Sequence, residues 1–68
     1  MEKGWKEVFV TIHDYKAKMA KEILENDGIG VVVMNQKDTA YQVFGEIYVY
    51  VQEENAEQAE KLLKNLQH

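Results

Sequence analysis

The pair His13-Asp14 is where this chain could most readily do acid–base or metal chemistry, because an imidazole beside a carboxylate can serve as a base or offer two ligands. No further ligand supports it. The sequence has no cysteine and only one other histidine, His68, which is the last residue. Asp14 also fits the plainer role of a helix N-cap. Glu53-Glu54 could attract a cation, but the two precede an apolar-periodic run, where negative charge complements the helix dipole. Serine is absent and Thr11 and Thr39 are the only aliphatic hydroxyls, which removes the commonest nucleophile. These residues assemble no catalytic set and no metal centre. We expect a protein that is not an enzyme and uses no cofactor.

Binding chemistry is better represented. Tyr48 and Tyr50 alternate with Ile47, Val49 and Val51, a period of two that sends the aliphatic set to a core and the tyrosines to the opposite face of a sheet. The same rule puts Val8, Val10, Ile29, Val31 and Val33 on the inner face. It places Phe9, Val32, Met34, Tyr48 and Tyr50 outside, with Trp5 near the rim. Each aromatic can bury about 150–250 Å², so together they reach the few hundred Å² that a monomer tolerates as exposed apolar patch. Trp5, Phe9, Val32, Met34, Tyr48 and Tyr50 therefore form a candidate interaction face for a homodimer or another protein. Tyrosines on a wet strand, stabilised by cross-strand contacts, satisfy the same pattern without a partner.

The polar stretch Asn35, Gln36, Lys37, Asp38 and on to Tyr41 is a candidate loop for a small-molecule ligand, since loops on rigid scaffolds carry function. A plain polar hairpin connection is the simpler reading of it. Lys37 has no glycine beside it, so it is no phosphate cradle.

Sixty-eight residues make a single domain over 1–68 that buries only about 60% of its unfolded surface, so self-association would help it. Without cysteine there is no disulfide framework. The net charge is −4 and all eight basic residues are lysines, which disfavours nucleic acid and anionic membrane as partners. An RNA-binding reading would stack bases on Phe9 with Tyr48 or Tyr50. It finds only a loose echo of the RNA-binding strand pattern in residues 44–50, with Glu46 where a small residue belongs. The longest apolar run is six residues, 29–34, against about 20 for a membrane span, so we expect a cytoplasmic protein with no membrane partner.

The elements that must position these groups follow from periodicity. Residues 5–11 predict a strand. A helix follows, with Asp14 or a Thr11–Asp14 capping box at its start and Ala17, Ala20, Ile23 and Leu24 on its apolar face. Gly28 suits the left-handed position after that helix, with Ile29 as its hydrophobic contact. Residues 29–34 and 41–51 predict two further strands, with a bulge at Gly45. A second helix is expected from Asn55, capped there with Gln58 at its third position. Its stripe is Ala56, Ala59, Leu62, Leu63 and Leu66. The order β-α-β-β-α, with a right-handed crossover, gives an α+β ferredoxin-like plait of three strands in the order 2-3-1 with both helices on one face.

With Val8-Phe9-Val10-Thr11, Ala17, Ala20, Ile23-Leu24, Gly28-Ile29 and the passage Val49-Tyr50-Val51-Gln52-Glu53-Glu54-Asn55-Ala56 into Ala59 and Leu62-Leu63, the whole chain resembles a family of short bacterial proteins. These are the putative prokaryotic signal-transducing proteins, a domain of unknown function similar in fold to the nitrogen-regulatory PII (GlnB-like) proteins. The usual proline at the end of the last strand is Gln52 here. The resemblance implies the GlnB-like plait, a bacterial cytoplasmic setting and a sensing or regulatory role, and it implies no catalytic residue. PII proteins bind nucleotide between subunits and carry a long loop between their second and third strands. The segment 35–42 stands in that place but is far shorter, and neither nucleotide binding nor modification carries over to Tyr41. The leading expectation is a non-enzymatic regulatory interaction module, with metabolite or nucleotide sensing at a subunit cleft as the alternative.

Overall fold

A computed structural model describes residues 4–35 and 45–67. Strand β1 (Trp5–Thr11) leads into helix α1 (Asp14–Asn26), followed by β2 (Val31–Asn35), β3 (Ile47–Gln52), helix α2 (Glu53–Leu62) and a 3₁₀ turn, Lys64–Gln67. The sheet order is β1-β3-β2, with β3 antiparallel to both neighbours. This is an α+β fold whose β-α-β-β-α order matches the ferredoxin-like plait, as the periodicity predicts.

Both helices cover one face. Ala20 and Leu24 from α1 meet Val49 and Val51 from β3, and Ala56 and Ala59 from α2, with Leu63 just beyond it, close the same core. Ile23, Leu62 and Leu66 pack at its margin. The apolar stripes of both helices thus lie where the 3.6-residue period put them.

One expected face assignment is overturned on β1. Glu7 stands opposite Tyr50 and Phe9 opposite Val49, so Val8 is an extra residue with no direct partner across the ladder. This is a β-bulge, and it lets two consecutive side chains, Val8 and Phe9, point into the core. From there the alternation is inverted. Phe9, expected outside, is only 6% exposed, while Val10, expected inside, is 38% exposed and lies opposite Tyr48. Gly45, where a bulge is expected, precedes β3, which begins at Ile47, and residues 41–44 of the expected strand lie outside the described residues.

Helix α1 is capped by His13 rather than Asp14. The His13 carbonyl accepts the Lys16 and Ala17 amides at 3.1 and 3.2 Å, and the His13 amide donates to Thr11 Oγ1 at 3.1 Å. Thr11 thereby satisfies its buried hydroxyl within the turn, and Asp14 becomes the first helical residue, still favourable to the dipole. The C-terminal end forms as expected. Gly28 takes φ 80°, its amide donates to Glu25 O at 2.9 Å, and the Ile29 amide donates to Leu24 O at 3.0 Å. That is a Schellman motif, and Ile29 follows it into the core.

A Cβ at Gly28 would meet nothing within 4 Å, so only backbone conformation opposes a side chain there. Gly28→Ala should therefore cost about 1 kcal/mol, lowering the melting temperature by roughly 4–8 °C for a domain this small. An unchanged melting temperature would show that the turn relaxes out of the left-handed region.

Helix α2 starts earlier than expected, with Gln52 as its cap and no part for Asn55 in capping. The reason lies in a tertiary acceptor: the Glu53 amide donates to Gly4 O at 2.7 Å, where Gly4 has φ 93°. A backbone carbonyl from the start of β1 thus takes the place of a side-chain cap. Gln58 reaches across instead, its Nε2 donating to Asp27 Oδ2 at 2.8 Å and tying α2 to the turn after α1.

Candidate interaction face of the sheet

The outer face is built on β3, the central strand, whose inner side chains Ile47, Val49 and Val51 are buried. Tyr48 and Tyr50 alternate with them and form a spine on the other side. Each is flanked on both sides by register partners: Tyr48 by Val10 and Met34, Tyr50 by Glu7 and Val32. Trp5, opposite Gln52, closes one end. Val10 and Met34 are 38% and 41% exposed, and Trp5, Val32, Tyr48 and Tyr50 are half-buried.

Of the expected face, Trp5, Val32, Met34, Tyr48 and Tyr50 are brought together, while Phe9 is withdrawn and Val10 replaces it. The base-stacking set of the RNA reading loses Phe9 with the same shift. Both helices lie on the inner face, and no other described element packs against the outer one.

The two tyrosine rings stack, with centroids 6.4 Å apart at 27°. The Tyr48 hydroxyl donates to Glu46 Oε1 at 2.8 Å. That hydrogen bond is the main reason its phenol is raised above the ordinary 10.0, with desolvation and then the negative charge of Glu46 and Glu7, and Tyr50 last, adding to it. The neutral phenol is the form the fold favours. Its contribution is complete below the ordinary tyrosine pKa and is lost as pH rises through the raised value. The ¹³Cζ resonance of Tyr48 should accordingly titrate above the ordinary range, and Glu46→Ala should lower its midpoint. A midpoint that does not move in Glu46→Ala would remove the hydrogen bond as its cause.

The other candidates are placed as follows. Asn35 ends β2 and lines an open groove on the helix side with Asp14, Ala17, Lys18, Lys21, Val33 and Ile47. Gln36, Lys37, Asp38 and Tyr41 of the expected ligand loop lie outside the described residues. The His13 ring neighbours Tyr15, centroid to centroid 5.5 Å and tilted by 42°. Among the described residues, no three His, Asp or Glu side chains are grouped so that they could hold a metal ion, and no helix is long and apolar enough to cross a membrane.

Sequence periodicity did not single out one further feature. Tyr15 and Met19, four residues apart, are 60% and 43% exposed on the side of α1 away from Ala17, Ala20 and Leu24, and Ile12, which precedes the helix, is 51% exposed. Apolar residues on the polar side of an amphipathic helix were the available signal.

No curated protein and no solved structure matches the chain. A family model matches residues 5–67, and its description names a signalling role rather than an enzyme class. The match begins at the first residue of β1 and ends at the last of the 3₁₀ turn, so it takes in every described element that carries the tyrosine face. The chain belongs to the family described as "Putative prokaryotic signal transducing protein".

Proposed function

We propose that this protein is a non-enzymatic signal-transducing module of the bacterial cytoplasm that acts through protein–protein contacts on its outer sheet face, and that it rests as a homodimer joined there. The observation that carries the reading is the tyrosine spine flanked by Val10, Val32 and Met34, with both helices on the other side. The largest apolar patch on a protein of this kind is often a functional surface.

The size of the face sets the strength of the contact. Three strands spaced about 4.8 Å apart and about 20 Å long give roughly 300 Å² in plan, so two copies bury less than the ~1,200 Å² of a stable interface. The dimer is therefore reversible, as a relay that exchanges partners requires. Tyr48→Glu should shift light-scattering mass toward monomer across a concentration series and leave the circular dichroism spectrum unchanged. A variant that keeps the mass and the partner binding of the wild type would sink the proposal.

A further inference from the structure

The apolar patch carries charge of one sign. Glu7 lies beside Tyr50 by register, and Glu46 reaches the Tyr48 hydroxyl. Both carboxylates are close enough to act on the Tyr48 phenol. Of the described lysines, Lys16 on α1 lines a groove at the edge of β1 with Glu7 and Val10, while Lys18 and Lys21 are on α1, Lys61 on α2, Lys64 in the 3₁₀ turn, and Lys6 at the register position of buried Val51. Two stacked phenol rings and two carboxylates, with no lysine among the described outward side chains of the three strands, are complementary to positive charge.

We propose that the outer face docks a basic protein surface, one that lays lysine or arginine side chains over the Tyr48–Tyr50 pair and onto the carboxylates of Glu7 and Glu46. The inference rests on the reading above and names the partner of the same face. Aromatic faces attract ammonium and guanidinium groups through the ring quadrupole. Glu46 accepts one hydrogen bond from Tyr48, and a carboxylate has room for about three more, so it can hold a cation without releasing the phenol. The homodimer lacks this complementarity. Face-to-face packing brings two copies of Glu7 and Glu46 to one small interface, where like charges oppose each other. A basic partner removes that repulsion and competes with the second copy, so binding the partner dissolves the dimer.

The test is a ¹⁵N–¹H titration of the full chain with an oligoarginine nonapeptide, an oligolysine nonapeptide and an oligoglutamate control, at low and at physiological salt. The expected result is saturable shifts at Val10, Val32, Tyr48 and Tyr50 with the two basic peptides alone, weakening as salt rises. The double variant Glu7→Gln/Glu46→Gln should bind about fivefold more weakly. Glu57→Gln/Glu60→Gln, which removes two exposed carboxylates from α2, should bind as the wild type does. Shifts confined to the helix layer, an equal loss in both double variants, or no binding would overturn the inference. A dimer that Tyr48→Glu dissociates but that ignores the basic peptides leaves the function proposed above standing and removes this partner. A chain that stays monomeric and also ignores them removes both.

Discussion

Phe9→Ala is expected to unfold this protein or bring it to the edge of unfolding. Phe9 is 6% exposed and belongs to the same buried cluster as Val49, Leu24 and Leu63, so truncation loses its transfer free energy and leaves a cavity in a core with few other large side chains. Phenylalanine-to-alanine changes at such sites cost about 3–5 kcal/mol. A domain of this length holds only about 3–10 kcal/mol in all, at roughly 0.05–0.15 kcal/mol per residue. Val10→Ala, one residue on, should cost no more than about 1 kcal/mol, because Val10 is 38% exposed on the outer face. Its effect should fall on association instead. Strict alternation along β1 makes the opposite forecast, with Val10 structural and Phe9 dispensable. Urea unfolding of the two variants followed by circular dichroism decides between them, and similar midpoints would mean that the bulge at Val8 is absent in solution.

The second large effect is expected at Leu24, which is fully buried and joins a helix end to the core. Its side chain packs in the main cluster with Ile29, and its carbonyl accepts the Ile29 amide at 3.0 Å. Leu24→Ala should cost about 2–5 kcal/mol, most of it from the cavity. The loss also reaches the turn. With the leucine gone, Ile29 loses the contact that accompanies the Schellman bonds, so its amide should exchange with solvent faster than the loss of global stability alone explains. A change below 1 kcal/mol would mean that α1 does not pack on the sheet as described.

The two residues flanking the tyrosine spine at Tyr48 illustrate how far the outer face was legible. Met34 could be assigned to it because β2 runs unbroken against β3, from Val31 opposite Val51 to Asn35 opposite Ile47, and alternation holds along an unbroken ladder. Val10 could not, because parity accumulates along a strand and one unpaired residue inverts every assignment beyond it. The bulge carries no glycine or other local mark in Glu7-Val8-Phe9. It exists only as a mismatch between β1 and β3.

The start of α2 was missed for a related reason. Asn55 and Gln58 form an acceptable local cap, but a carbonyl from Gly4 reaches the Glu53 amide first. A tertiary acceptor is invisible to a window of neighbouring residues. The Glu46–Tyr48 hydrogen bond lies within two residues, yet it too depends on the strand placing both side chains on one face.

What the sequence determined by itself is the order β-α-β-β-α, the buried stripes of both helices, the alternation along β2 and β3, and the glycine turn after α1. Each of these follows from a period or a φ preference written within one stretch of chain. The tertiary structure alone decided that Phe9 belongs to the core and Val10 to the surface, where α2 begins, and that the tyrosine face carries carboxylates and no lysine among the described outward side chains of its strands. Those depend on which residues of distant segments meet, and pairing between strands is a property of two stretches at once.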